Sequence, residues 1–257
     1  MTEIHPTAIV EPGAQLGADV RIGAYSVIGP HVRLGDGATV LPHVFLDGRT
    51  TIGAGCTIFP FASIGSQTQD LKYKGGQTYV EIGDRTTLRE YVTVNAGTAD
   101  GEVTRVGADC HIMAYAHVAH TCQVGNRVII ANCGSLSGHV LVEDDVVIGG
   151  MTGVHQFTRI GTLAMIGGLS RITQDVPPYM LVEGNPAAVR AINQIGLERH
   201  NVDEPARGRI KAAFKLLYAA QLSTRQAMER IRGEIEICPR IEHLLAFIAA
   251  SERGIIK

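Results

Sequence analysis

An aliphatic residue recurs at every sixth position through two thirds of this chain, and few folds tolerate that period. Counting from Ile4, the positions are Val10, Leu16, Ile22, Ile28, Leu34, Val40, Leu46, Ile52, Ile58 and Ile64. The phase returns at Ile82, Leu88 and Val94, and runs unbroken from Val106 to Ile172. Of the 29 positions at this spacing between 4 and 172, only Asp70, Gly76 and Asp100 are not Ile, Leu or Val. Four residues beyond each aliphatic stands a small or β-branched side chain, as at Ala8, Ala14, Val20, Ser26, Val32 and Ala38. Glycine often follows the aliphatic, as at Gly17, Gly23, Gly29 and Gly35. A period of six matches neither a helical stripe nor an alternating strand. It matches a β-solenoid of short strands with one large and one small side chain inward and a turn at each corner. Three hexads close a triangular coil of 18 residues, and successive coils stack at about 4.8 Å.

The breaks in phase are equally informative. Segments near 66–81 ("SQTQDLKYKGGQTYVE") and 95–105 ("NAGTADGEVTR") lose the aliphatic but keep the register. They are expected to be loops extruded from a coil that then resumes, and loops on a rigid scaffold commonly carry binding residues. After Ile172 the hexads stop at "DVPPY". In "ARGRIKAAFKLLYAAQ", Ile210, Ala213, Phe214, Leu217 and Tyr218 follow helical spacing. "STRQAMERIRGEI" opens on a Ser223/Gln226 capping box, Pro239 is expected to end that helix, and "RIEHLLAFIAA" to begin another. The organisation is therefore a mainly β chain: a hexapeptide-repeat β-helix over 1–185 and a small α-helical C-terminal domain over 186–257.

Charge divides at the same boundary. Residues 1–185 hold eleven Lys/Arg against seventeen Asp/Glu, and residues 186–257 hold twelve against eight. The formal net charge of −2 offers no argument for nucleic acid as a partner. The basic C-terminal region is either a solvated face or a docking surface for an acidic partner. The five cysteines (Cys56, Cys110, Cys122, Cys133 and Cys238) show no CxxC spacing, so neither a disulfide framework nor a zinc ribbon is expected. The opening "MTEIHPTAIV" has no secretory pattern. No apolar run is long enough to span a membrane. A cytoplasmic protein is the expectation.

Within the repeat, His120, His139 and His155 belong to hexads that begin at Val118, Leu136 and Val154, 18 residues apart. They stack on one side of the prism, with His117 one corner away, and Asn132 and Gln156 nearby. None occupies an inward position, so all are expected to project outward. Two chemistries suit such a cluster. Three neutral imidazoles converging at about 2 Å would hold zinc, as in the hexapeptide-repeat γ-class carbonic anhydrases. There, the site resembles a pair of histidines five apart and a third two coils earlier; here the pair is three apart, and the residue 36 positions before His120 is Asp84. The alternative is a general base, with a pKa near neutrality, removing a proton from a hydroxyl that attacks an acyl carbonyl. A backbone N–H, at Gly138, would then receive the oxyanion.

"FASIG…QDLKY", "HVAHTCQVGN", "SGHV", "GGMTGVHQF" and "QDVPPY" together resemble the UDP-N-acetylglucosamine 3-O-acyltransferases over essentially the whole chain. The resemblance implies a left-handed parallel β-helix, a homotrimer with sites at subunit interfaces, and the first acylation of lipid A biosynthesis. The implied reaction moves an (R)-3-hydroxyacyl group from acyl carrier protein to the glucosamine 3-hydroxyl of a UDP-sugar. No cofactor is implied beyond the carrier's own phosphopantetheine, and no metal. Carried over by motif, His120 is the general base and Gly138 the oxyanion donor. Asp70, Lys72, His117, His139, His155 and Gln156 contact the sugar nucleotide. Asn193 and Arg199 lie near the nucleotide, and Gly168 where the family gauges acyl length. The absence of a side chain at Gly168 suggests a longer, hydroxymyristoyl-type chain. Ile195 and His200 stand where some members have Glu and Arg, so fewer nucleotide contacts are expected from that segment.

Other activities stay open at this level. A glucosamine N-acyltransferase shares the repeat but carries an extra N-terminal domain, for which a repeat starting at Ile4 leaves no room. A structural or ice-binding solenoid would have featureless faces, without two loops and a histidine side. The sequence does not separate UDP-N-acetylglucosamine from its 3-amino analogue as acceptor.

Overall fold

The computed structural model describes residues 1–257. Three sheets of two- to six-residue strands wrap into a left-handed parallel β-helix. Each hexad aliphatic lies directly over its counterpart one coil away, as in Ile112↔Ile130 and Val118↔Leu136. The first sheet holds Ile22, Ile58, Ile112, Ile130 and Ile166; the second holds Ile28, Ile64, Val94, Val118, Leu136 and Val154; the third holds Ile52, Ile82, Val106, Val142 and Ile160. The inward columns are sealed: Ile112, Ile130, Leu136 and Ile148 are fully buried. Fully burying such a side chain stabilises by about 1.5–3 kcal/mol. The first turns are less well covered, and Ile4 is 46% exposed.

The corners explain the rest of the hexad. The residue three beyond the aliphatic adopts the left-handed conformation, as at Tyr25 (φ 59°), Tyr91 (φ 59°) and His139 (φ 59°). That conformation costs a residue with a side chain roughly 1–2 kcal/mol. It is held by a backbone bond to the neighbouring coil, such as His139 N–H to the His120 carbonyl at 3.1 Å. Along one edge it is also held by stacking, with Tyr25, His43, Phe61, Tyr91 and Tyr115 forming a continuous column of rings. Glycine after the aliphatic has a different cause. A Cβ on Gly35 would lie 2.6 Å from the Ala54 nitrogen of the next coil.

Both extruded loops are present, with tighter limits than the sequence suggests. The strands Ser63–Ser66 and Tyr79–Ile82 bracket the first, and Thr93–Asn95 and Val103–Val106 the second. Polar residues at both loop bases belong to strands because the backbone ladder, not the aliphatic, defines them. The coil pairing steps from Ile58 to Leu88 and then from Leu88 to Ile112. Each insertion is therefore a whole number of hexads, which is why the register survives.

The C-terminal region begins with strand rather than helix. Met180–Gly184 extends the first sheet and pairs antiparallel with Ala187–Ile192. Four helices follow: α1 (Gln194–Arg199), α2 (Glu204–Tyr218), α3 (Thr224–Glu234) and α4 (Pro239–Ala249). Ser223 and Gln226 form the expected capping box. Pro239 does not end α3, which stops at Glu234; it opens α4. A first-turn proline loses no hydrogen bond, because that N–H has no partner in a helix. Leu197, Ile210, Ile231 and Ile241 join the same apolar core as the solenoid. His243 of α4 shares a hydrogen bond with the Tyr179 hydroxyl at 3.1 Å and lies 3.1 Å from Glu143 of the solenoid. No helix is long and apolar enough to cross a membrane.

Candidate active site

The second sheet and its edge build the site. His117 opens the strand His117–Val118, and its Nδ1 lies 2.7 Å from the Thr93 hydroxyl one coil earlier. His120 sits two residues beyond Val118, at the corner. Neither histidine faces open solvent: His120 is 9% exposed and His117 half-buried. The first loop folds over them. Its Asp70 carboxylate holds the loop with one oxygen, accepting the Lys72 N–H at 2.9 Å. The other oxygen stands 3.6 Å from His120 Nε2. Thr68 and Thr98 meet at 3.2 Å and tie the two loops together.

His139 lies edge-on to His120, with ring centroids 5.0 Å apart, and stacks on Phe157 at 4.6 Å. Burial lowers the His120 pKa from 6.5, and the His139 charge lowers it further, against opposing pulls from Asp70 and Glu102. Burial likewise lowers that of His117, helped by the charge of His120. Both imidazoles are thereby kept neutral, the state a base requires.

Gly138 lies directly over the His120 ring, where a Cβ would be 2.2 Å from Nε2. Its N–H donates to no group of the chain. At equivalent corners, the N–H groups of Ala18, Ala54, Ala108 and Asn126 are capped by Asp or Asn side chains of the next coil. An unpaired donor beside a neutral imidazole is suited to receive an anionic oxygen. No group of three His, Cys, Asp or Glu side chains is disposed to hold a metal ion.

Of the residues singled out from sequence, Asp70, His117, His120, Gly138 and His139 therefore converge, with Lys72 on the loop that covers them. His155 is on the same edge but turns to the C-terminal segment, with Nδ1 3.3 Å from an Arg253 nitrogen and 3.1 Å from the Gln156 carbonyl. Beside it, a cleft of about 530 Å³ opens between His139, Phe157, Arg159 and Arg253. Gly168, Asn193 and Arg199 lie elsewhere in the chain. Gly168 follows Ile166 of the first sheet, stacked over Gly150, whose carbonyl would be 3.2 Å from an added Cβ. Asn193 caps α1, accepting from the Gly196 N–H, while its amide donates to the Leu163 carbonyl at the third edge. Arg199 closes α1. Glu102, Thr121, Phe157 and Arg253 border the site without any signal in the sequence, since each sits at a loop, corner or tail position with no fixed residue type.

Comparison with known proteins places the chain in a family. Residues 175–256 match the family model described as UDP N-acetylglucosamine O-acyltransferase, domain 2. The bacterial transferase hexapeptide model matches residues 1–36, 13–48 and 104–137. The acyl-[acyl-carrier-protein]–UDP-N-acetylglucosamine O-acyltransferase of Herminiimonas arsenicoxydans is 47% identical, over 100% of both chains. That of Verminephrobacter eiseniae is 48% identical, again over 100% of both. Among solved structures, LpxA from Acinetobacter baumannii superposes with a TM-score of 0.95 at 41% identity, covering 99% of each chain. The UDP-N-acetylglucosamine acyltransferase of Arabidopsis superposes at 0.89 with 33% identity, over 99% of this chain and 100% of that one. The repeat, the covered histidine edge and these full-length similarities together establish that the chain belongs to the UDP-N-acetylglucosamine O-acyltransferase family.

Proposed function

We propose that the chain transfers an (R)-3-hydroxyacyl group from acyl carrier protein to the glucosamine 3-hydroxyl of UDP-N-acetylglucosamine, the first step of lipid A biosynthesis, in the cytoplasm. His120 Nε2 removes the hydroxyl proton as the oxygen attacks the thioester carbonyl. The Gly138 N–H donates to the oxyanion of the tetrahedral intermediate. Collapse expels the phosphopantetheine thiolate, which takes the proton back from the imidazolium. Asp70 and Lys72 on the covering loop, with His117 and His139, hold the sugar. The observation that carries this mechanism is the buried His120, with Nε2 3.6 Å from Asp70, beside the unused Gly138 N–H.

The remaining site residues suit a shared site in a homotrimer. Gly168, Asn193 and Arg199 lie on other parts of the prism from His120, so one substrate reaches them all only between neighbouring copies. The exposed column of Tyr25, Phe61, Tyr91 and Tyr115 is the kind of apolar edge a second copy covers. In that arrangement His155 and Gln156 extend the sugar-nucleotide site, Arg199 faces the pyrophosphate, and the bare edge at Gly150 and Gly168 admits a long acyl chain.

The test is acyl transfer from (R)-3-hydroxymyristoyl-acyl carrier protein to UDP-N-acetylglucosamine by wild type and His120→Ala. Transfer by the wild type and a fall of about a hundredfold or more in the variant are expected. A His120→Ala protein that keeps wild-type kcat would remove His120 from the role of base. Failure of the wild type to transfer would overturn the choice of donor and acceptor.

A further inference from the structure

The second extruded loop places a carboxylate behind the proposed base. Glu102 closes this loop, and its Oε2 accepts three hydrogen bonds: from the Thr98 N–H at 2.9 Å, the Ala99 N–H at 3.0 Å and the Thr121 hydroxyl at 2.8 Å. The Thr121 hydroxyl also faces His120 Nδ1 at 3.4 Å. Thr121 is itself fixed, its N–H donating to the Thr104 hydroxyl at 2.7 Å. Burial raises the Glu102 pKa, but hydrogen bonds from Ala99, Thr121 and Thr98, with the charge of His139, outweigh it and hold the carboxyl ionised.

Donor counting then sets the direction of the chain of bonds. An ionised carboxylate only accepts, so the single Thr121 proton goes to Glu102, across the shorter contact. The Thr121 oxygen is left as an acceptor facing His120 Nδ1. That arrangement favours the imidazole tautomer with its proton on Nδ1 and its lone pair on Nε2, the nitrogen that faces Asp70 and Gly138. We propose that Glu102 and Thr121 are positioning residues that hold His120 in its base-competent tautomer and stabilise the imidazolium formed during acyl transfer. They do so without touching the substrate. This deepens the mechanism above and rests on His120 acting as the base.

The proposal gives the second loop a role that its sequence does not announce. A loop of this length could close with any side chain that caps Thr98 and Ala99. An acceptor oxygen that also reaches Thr121 extends the bonding to His120, and a carboxylate adds its charge to that path. Orienting groups of this kind are general behind catalytic histidines, where the second nitrogen is fixed so that the first can accept a proton.

Three substitutions separate this from a purely structural loop staple. Thr121→Val keeps shape and removes the hydroxyl; Thr121→Ser restores it; Glu102→Gln keeps the loop bonds and removes the charge. We expect kcat to fall about tenfold or more in Thr121→Val and to recover in Thr121→Ser, with KM for both substrates within about twofold of wild type. In Glu102→Gln, the acid limb of the kcat/KM profile moves to lower pH, because a charge that raises the His120 pKa is gone. In the His120→Ala background, neither substitution should lower the residual rate further. If Thr121→Val and Glu102→Gln keep the wild-type kcat and pH profile while His120→Ala is inactive, the positioning role is overturned and the base stands. If His120→Ala is itself active, the mechanism beneath both is lost. A loss confined to melting temperature and KM, unrelieved by Thr121→Ser, would identify Glu102 as a staple only.

Discussion

At Gly138, a single methyl group would strike the His120 ring and not the fold. Its backbone is outside the left-handed region, so alanine there meets no backbone strain. The added Cβ would instead fall 2.2 Å from His120 Nε2 and 2.3 Å from Cε1. The ring must turn away, and the N–H proposed to receive the oxyanion loses its alignment. Gly138→Ala is expected to lower kcat by about a hundredfold or more, the usual scale for losing one oxyanion donor, while the melting temperature stays close to wild type. Steady-state kinetics beside a thermal melt checks both halves. His120 also sets a pH limit. Burial and the neighbouring His139 hold its pKa below 6.5, so the base form persists into mildly acidic solution. The acid limb of kcat/KM should accordingly fall below pH 6.5, and an inflection well above that value would contradict a buried neutral base. The sequence reveals the histidines because they recur against an 18-residue coil. It does not reveal that they are covered, since burial of His117 and His120 comes from a polar loop whose path no periodicity records. Glu102 and Thr121 were invisible for the same reason: each looks like an ordinary polar corner or loop residue until Thr121 is seen between Glu102 and His120.

For the strand, burial rather than intrinsic preference decides what each hexad contributes. A two-residue strand has almost no stability of its own, and it persists because coils above and below complete its ladder and cover its aliphatic. Ile130 and Ile4 occupy the same hexad position in the same sheet, but Ile130 is fully buried while Ile4 is 46% exposed. Ile130→Ala is therefore expected to cost about 2–5 kcal/mol in urea unfolding, and Ile4→Ala only a small fraction of that. Equal costs would mean that stacking is not what holds the coils. The repeat made this element legible before any coordinate, because each inward column demands an aliphatic at a fixed interval. Where the demand lapses, sequence reasoning lapses too. The strands at the loop bases run past their hexad aliphatics into polar residues such as Ser66 and Asn95, and the hairpin Met180–Gly184 and Ala187–Ile192 carries no six-residue signature. Pro239 shows the limit differently: a proline between two helical patterns marks a boundary, but its preference for the first turn assigns it to the second helix.

Across the whole molecule, the solenoid is acidic and the helical region basic, and the structure sorts the basic residues by what they already bind. Arg207 pairs with Glu198, Arg209 with Glu236, Arg225 with Glu229 and Arg230 with Glu234. Lys211 and Lys215 on α2 are exposed, and neither forms an ion pair. They stand four residues apart, so they share one helix face, opposite the face that buries Ile210, Ala213 and Leu217. Two free ammonium groups one turn apart attract an acidic surface over about a Debye length, roughly 8–10 Å at physiological salt. If this face guides acyl carrier protein, reversing both charges with Lys211→Glu and Lys215→Glu should raise the donor KM severalfold at low ionic strength. The KM for the sugar nucleotide and kcat at saturating donor should stay near wild type, because α2 holds none of the groups around His120. Added salt should then narrow the gap by weakening attraction in the wild type and repulsion in the variant. An unchanged donor KM at low salt would withdraw Lys211 and Lys215 from carrier recognition, leaving the charge asymmetry as the ordinary solvation of a helix face.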